Sequence, residues 1–298
     1  MRIGAFEFAE PVPELRTPHV IASLTPWVDA GSIATVALKA LERQSGAQDL
    51  GSLATPGTFF DFTRYRPVVE YQDDQRRITL PNTRFRWSRG SKGFDFIFLH
   101  MLEPHAFAEE YIDSVLKVLE HFKVHRICRI GGMYDAVPHT RPLLVTGSLN
   151  GEPLQGVSGI VPPGGNPYQG PTSIAFLMGD KLTALGIENM NLMARLPQYV
   201  QLEEDYSGAA RLLEILCALY DLPPEPALSR RGVRQYERIS AEVEGDPRVK
   251  ALLRRMEADY DAREQPAQLT PPSERSAPRL SPSVEQFLGE LDDQAKDS

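Results

Sequence analysis

Short apolar runs rich in β-formers alternate with longer segments of helical period along most of this chain, and that alternation limits the folds open to it. "HVIASL" (19–24) reads as a buried strand, and the loop "TPWVDAG" follows it. "GSIATVALKALERQ" then places Ile33, Val36, Ala37, Ala40 and Leu41 at helical spacing. "DFIFLHML" (95–102) is a second buried strand. "HAFAEEYIDSVLKVLEHFK" is an amphipathic helix with Phe107, Tyr111, Val115, Val118, Leu119 and Phe122 on one face. Further strands are expected at His125–Ile130, ending at two glycines, and in "LLVTGSL". "PTSIAFLMGDKLTALGI" opens on residues suited to a helix start and stops near Gly186, and "NMNLMARL" and "GAARLLEILCALYDL" complete the pattern. Strands alternating with helices predict an α/β fold whose sheet is mainly parallel and flanked by helices. "RPVVEYQDDQRRITL" alternates about an Asp-Asp turn and predicts a hairpin, as an insertion or a mixed edge.

The texture changes at Pro223. Residues 1–222 read as the α/β core and 223–264 as a helical appendage of charged segments, broken at "EGDPR". Residues 265–283 are proline-rich and predict an extended, mobile linker. In the acidic tail 284–298, Val284, Phe287, Leu288 and Leu291 fall on one helical face, the pattern of a docking peptide on a tether or of a frayed chain end.

Charge excludes some partners. The net charge is -8 with an isoelectric point near 5.4, and the parts before and after residue 225 are both acidic, so nucleic acid and anionic membrane surfaces are not expected partners. Cys128 and Cys217 lie in apolar runs without metal-ligand spacing and read as buried thiols of a reducing compartment. Acidic residues interrupt "MRIGAFEFAEPVPEL", and nowhere do 18 consecutive apolar residues occur, so a cytoplasmic protein is expected.

The sequence carries no phosphate-binding glycine loop ending in Lys-Ser or Lys-Thr, no nucleophile elbow, no zinc-protease histidine pair and no dinucleotide fingerprint. No metal site and no cofactor is expected. Three loops hold the candidate chemistry. "PPGGNPYQGPTS" (162–173), with Tyr168 and Thr172, precedes a helix whose free N–H groups suit an anion, or it is a tight turn that needs glycine. In "GGMYDAVPHTRP", His139 suits acid/base work and Arg141 an anion clamp, with Thr140 between them. Alternatively, prolines 138 and 142 make this a rigid turn that ties loops together. In "TPWVDAG", Trp27 and Asp29 could line a pocket, or Asp29 could cap the next helix while Trp27 packs.

"PWVDAGSIAT", "DFTRYRP", "GGMYDAVPHTRP", "YQGPTSI" and "LMARLPQYVQL" followed by a leucine-rich helix, in this order over roughly residues 1–222, resemble the proteasome assembly chaperone 2 family in its bacterial and archaeal form. The resemblance implies a phosphorylase/hydrolase-like α/β fold and a homo-oligomer, commonly a trimer. It also implies a non-catalytic role in which the protein binds other proteins and assists their assembly. The chain ends "DDQAKDS", without the hydrophobic-tyrosine pattern of a proteasome-docking terminus, and the motifs of an ATP-grasp ligase are not found in it. The alternative expectation is an enzyme or a nucleotide- or anion-binding protein whose pocket is built from the strand-end loops.

Overall fold

β3 (His19–Thr25) is buried along nearly its whole length, as its run of apolar residues predicts, and lies at the centre of the sheet. Before it come β1 (Arg2–Ile3) and β2 (Phe6–Phe8); after it come α1 (Ile33–Ser45), β4 (Gln48–Leu53), β5 (Val68–Gln72), β6 (Gln75–Thr79), β7 (Arg84–Ser88) and β8 (Phe96–Leu102). The chain continues through α2 (Ala108–His121), β9 (Arg126–Asp135), β10 (Val145–Leu149), β11 (Glu152–Pro153), β12 (Ile160–Val161), α3 (Ile174–Ala184), β13 (Glu188–Pro197), α4 (Tyr206–Tyr220), α5 (Pro226–Glu244) and α6 (Pro247–Glu264). This computed structural model describes residues 1–72, 75–162 and 169–264. Met1–Tyr260 form one compact unit; of a second, Asp261–Ser298, the described residues are the end of α6.

The main sheet runs β1-β2-β4-β7-β8-β3-β9-β13-β10-β11, with β12 beside β10. Its centre is parallel, with β8, β3, β9 and β13 pairing in one direction, and at one edge the short β12 pairs parallel with β10. β7 pairs antiparallel with β8, β4 with β7, β2 with β4 and β1 with β2, and on the other side β10 is antiparallel to β13 and β11 to β10. The expectation of a mainly parallel, phosphorylase/hydrolase-like sheet is thereby overturned: the sheet is mixed and most of its pairings are antiparallel. A parallel pair needs a long crossover, usually a helix, whereas a short connection returns the chain antiparallel. Residues 89–95 between β7 and β8 contain no helix, and Asn150 and Gly151, both at positive φ, turn β10 straight back into β11. The strands that the apolar runs do not mark, β1, β2, β4 and β7, are the ones that form the antiparallel flank.

Two apolar layers cover the sheet. α2 and α3 close over Val20, Ala22, Ile97 and Leu99, while α1 and α4 close over Ile21, Phe98, Cys128 and Leu192. α1 stops at Gly46, whose φ of 63° suits glycine at a helix C-terminus. Cys128 and Cys217 are free and buried, and burial pushes the Cys128 thiol up to about 12. The hairpin predicted around Asp73 and Asp74 forms from β5 and β6, but as a separate two-stranded sheet rather than an edge of the main one.

Candidate functional site

β9 does not end at Ile130, as the glycine pair suggested, but runs through Gly131 and Gly132 to Asp135. A Cβ on Gly131 would stand 2.6 Å from the Val28 carbonyl oxygen, and one on Gly132 would stand 2.4 Å from Cδ1 of Ile33. The two glycines let the strand pass directly beneath the loop that follows β3. There the Gly132 N–H donates to the Val28 carbonyl (2.7 Å), and Asp29 forms a parallel bridge with Gly132. The Asp29 carboxylate is buried and accepts from the Ala34 N–H (2.8 Å) and the Thr35 hydroxyl (2.6 Å), satisfying the first turn of α1. Burial raises its pKa and these hydrogen bonds oppose the rise. Trp27, on the same loop, is 44% exposed.

The Pro-His-Thr-Arg-Pro segment joins β9 to β10 at the same end of the sheet. His139 is 5% exposed, and its ring lies between Tyr199, just beyond β13, and α5. The Tyr199 hydroxyl accepts the His139 backbone N–H at 2.9 Å and lies 2.6 Å from Nδ1, while Nε2 lies 3.0 Å from the Ser240 hydroxyl. Either neutral tautomer completes both contacts: Tyr199 donates to Nδ1 while Nε2–H donates to Ser240, or Nδ1–H donates to Tyr199 while the Ser240 hydroxyl donates to Nε2. Burial lowers the His139 pKa, so the ring is held neutral. The next residues reach α6: the Thr140 hydroxyl donates to Glu257 at 2.5 Å, Arg141 pairs with the same carboxylate at 3.3 Å, and the Tyr260 hydroxyl donates to the Pro142 carbonyl at 2.9 Å. Deeper in, the Tyr236 hydroxyl of α5 donates to Asp205 at 2.8 Å. Asp205 also caps α4 through the Gly208 N–H (2.8 Å), and its own N–H donates to the Gly31 carbonyl (2.8 Å). Burial raises the pKa of both Asp205 and Tyr236.

The structure therefore brings Asp29, His139, Thr140 and Arg141 to one end of the sheet and sets His139, Thr140 and Arg141 against the C-terminal helices. Thr172 is exposed before α3, whose Ile174 N–H donates to the Glu103 carboxylate (3.0 Å) at the end of β8. Tyr168 and the tail positions Val284, Phe287, Leu288 and Leu291 lie outside the described residues. Tyr199 lies in the "LMARLPQYVQL" segment but does not stand out there as a site residue, and Asp205, Tyr236, Ser240 and Glu257 lie outside the quoted motifs. His139 meets its partners across 60 and 101 positions of chain, so no local pattern could pair them. Among the described residues, no group of three or more His, Cys, Asp or Glu is placed to hold a metal ion, and no helix is long and apolar enough to cross a membrane.

These features define an α/β protein with a mixed sheet whose strand-end loop is clasped by C-terminal helices. The family model described as the PAC2 family matches residues 23–240, and the chain belongs to that family. None of the curated proteins matches it. Among solved structures, a protein of unknown function from Corynebacterium glutamicum ATCC 13032 is 21% identical, with a TM-score of 0.77 over 88% of this chain and 98% of that one. A proteasome-assembly chaperone homologue of Mycobacterium tuberculosis is 22% identical, with a TM-score of 0.67 over 79% and 99%. PbaB of Pyrococcus furiosus, an archaeal proteasome activator, is 18% identical, with a TM-score of 0.64 over 82% and 100%. At these identities the likeness is one of fold.

Proposed function

We propose that the protein is a non-catalytic, homo-oligomeric assembly factor that acts by binding other proteins. The observation that carries this reading is the state of the strand-end loop. At the edge where α/β sheets usually hold ligands, His139, Thr140 and Arg141 direct their polar groups into α5 and α6, so the residues best suited to chemistry work as a structural clasp. Membership of the PAC2 family agrees with it, as do the names of the Mycobacterium and Pyrococcus proteins of similar fold. In its finer form the reading is a cytoplasmic homotrimer. The sequence pattern of Val284, Phe287, Leu288 and Leu291 supplies a partner-docking segment.

The test is affinity purification from the native host of the full chain and of a chain cut after Gln265, with bound proteins identified by mass spectrometry and mass in solution by light scattering. A stoichiometric protein partner and a trimeric mass are expected, with the partner lost on truncation. A chain recovered alone, whose Tm rises saturably with a nucleotide or with inorganic phosphate, would instead establish a ligand-binding protein.

A further inference from the structure

α5 is held on one side and bare on the other. Leu228, Gly232 and Val243 are buried, the Gln235 side chain accepts the Tyr206 N–H at 2.9 Å, and the Tyr236 hydroxyl donates to Asp205. A Cβ on Gly232 would stand 2.8 Å from the backbone of Ser207, so the helix lies directly on the start of α4 there. These residues repeat with the helical period and define the inward face. About half a turn away, Arg230, Arg234 and Arg238 form an i, i+4, i+8 row, and all three are exposed. Val233, 57% exposed, stands beside the row.

The chain does not neutralise this row. Among the described residues Arg230, Arg234 and Arg238 make no hydrogen bond or ion pair, and neither does Glu237, the carboxylate beside them. Arg231, on another side of the helix, lies over the Tyr206 ring at 3.5 Å and donates to its hydroxyl. The arrangement works against the helix itself. Like charges four residues apart repel, and the last turn carries Glu242 and Glu244 where the helix dipole favours cations. The basic residues of α5 are all arginine, the side chain whose two parallel N–H donors grip a carboxylate. In a chain of net charge -8 the row is a local patch of opposite sign.

Resting on the protein-binding reading above, we propose that the outward face of α5 is a docking surface for an acidic helical segment of a partner protein, whose carboxylates meet Arg230, Arg234 and Arg238 and whose apolar side chain covers Val233. The arginines climb the helix in steps of about 6 Å, which is also the step between acidic residues four apart on a helix lying alongside. A long polyanion fits less well, because DNA or an anionic bilayer extends past the row and meets the negative charge of the rest of the molecule. A short acidic segment meets the row alone and neutralises charges that repel one another in the free protein.

The test uses the full chain and a fluorescein-labelled, alanine-rich helical peptide with glutamate at three positions four apart and leucine beside them, read by fluorescence anisotropy. The parent should bind it, with a Kd that rises as salt is added. A chain carrying Arg230→Gln, Arg234→Gln and Arg238→Gln should bind about tenfold or more weakly. Its circular dichroism should match the parent, because the three side chains are exposed. A peptide with glutamine in place of glutamate should lose binding to a similar degree. Arg→Lys at the same three positions keeps the charge without the paired donors and should give an intermediate Kd. No binding by the parent, equal affinity of the parent and the glutamine variant, or tighter binding of the parent to duplex DNA or to phosphatidylserine vesicles overturns the assignment. In purification from the native host, a partner protein that the glutamine variant retains in full also overturns it, while the protein-binding reading stands. A chain recovered alone overturns that reading and this proposal with it.

Discussion

The Pro-His-Thr-Arg-Pro loop and the β5–β6 hairpin present opposite surfaces. The loop is made of residues that suggest chemistry, yet His139 is buried and bonded through both ring nitrogens, and Thr140 and Arg141 share Glu257. The hairpin is made of ordinary strand residues, yet Tyr71 is 76% exposed beside Arg76, which makes no ion pair among the described residues. A polar side chain acquires its role from the partners that folding gives it. An apolar one left in water points to a partner that this chain does not supply.

If the loop is a clasp, damage to it should be read in stability. Asp205→Ala removes the cap of α4 and leaves the Tyr236 hydroxyl buried without an acceptor, and should destabilise the fold by about 2–4 kcal/mol in urea titration. His139→Ala should destabilise it by about 2 kcal/mol and speed amide exchange in α5 and α6 relative to α1. An unchanged exchange rate there would mean that these helices are held by other contacts.

The same histidine makes the clasp sensitive to acid. The folded state keeps His139 neutral with a lowered pKa, while the unfolded chain protonates near the ordinary value of about 6.5. The stability carried by the neutral ring is complete above that pH and is lost as pH falls through the folded pKa. His19, lowered to about 4 by burial and the neighbouring Arg126, acts in the same sense, so the loss falls between about pH 6.5 and 4. The buried Asp29 and Asp205, with raised pKa values, oppose it. Unfolding midpoints measured over this window should fall more steeply for the parent than for His139→Gln.

Smaller effects complete the contrast. Glu257→Ala removes a partly exposed ion pair and a hydroxyl contact, and should lower stability by about 0.5–1 kcal/mol, less at high salt. Tyr71→Ser on the β5–β6 hairpin should change stability by no more than about 0.5 kcal/mol, because the side chain is 76% exposed. A larger loss would mean that the Tyr71 side chain packs on the rest of the chain.

The helices that pack on the sheet and the buried strands follow directly from side-chain period: α1, α2 and α4 and the strands β3, β8 and β13 lie where the apolar spacing puts them, and the Asp-Asp turn foretells the β5–β6 hairpin. β4 and β7 are harder to see. "QDLGSL" interrupts its apolar residues with glycine and polar side chains, and "RFRWS" alternates arginine with aromatic residues, so neither resembles the continuous apolar run of a central strand. Without these two strands the alternation looks more parallel than the sheet is.

What the sequence by itself determined, then, was the set of elements, the buried thiols and the hairpin, because periodicity records which side of an element leaves water. The direction of strand pairing and the partners of His139, Thr140 and Arg141 were decided only in the tertiary structure. Pairing direction depends on whether a connection crosses the sheet, and the clasp depends on hydrogen bonds between residues as far apart as 118 positions, a relation that no local spacing encodes.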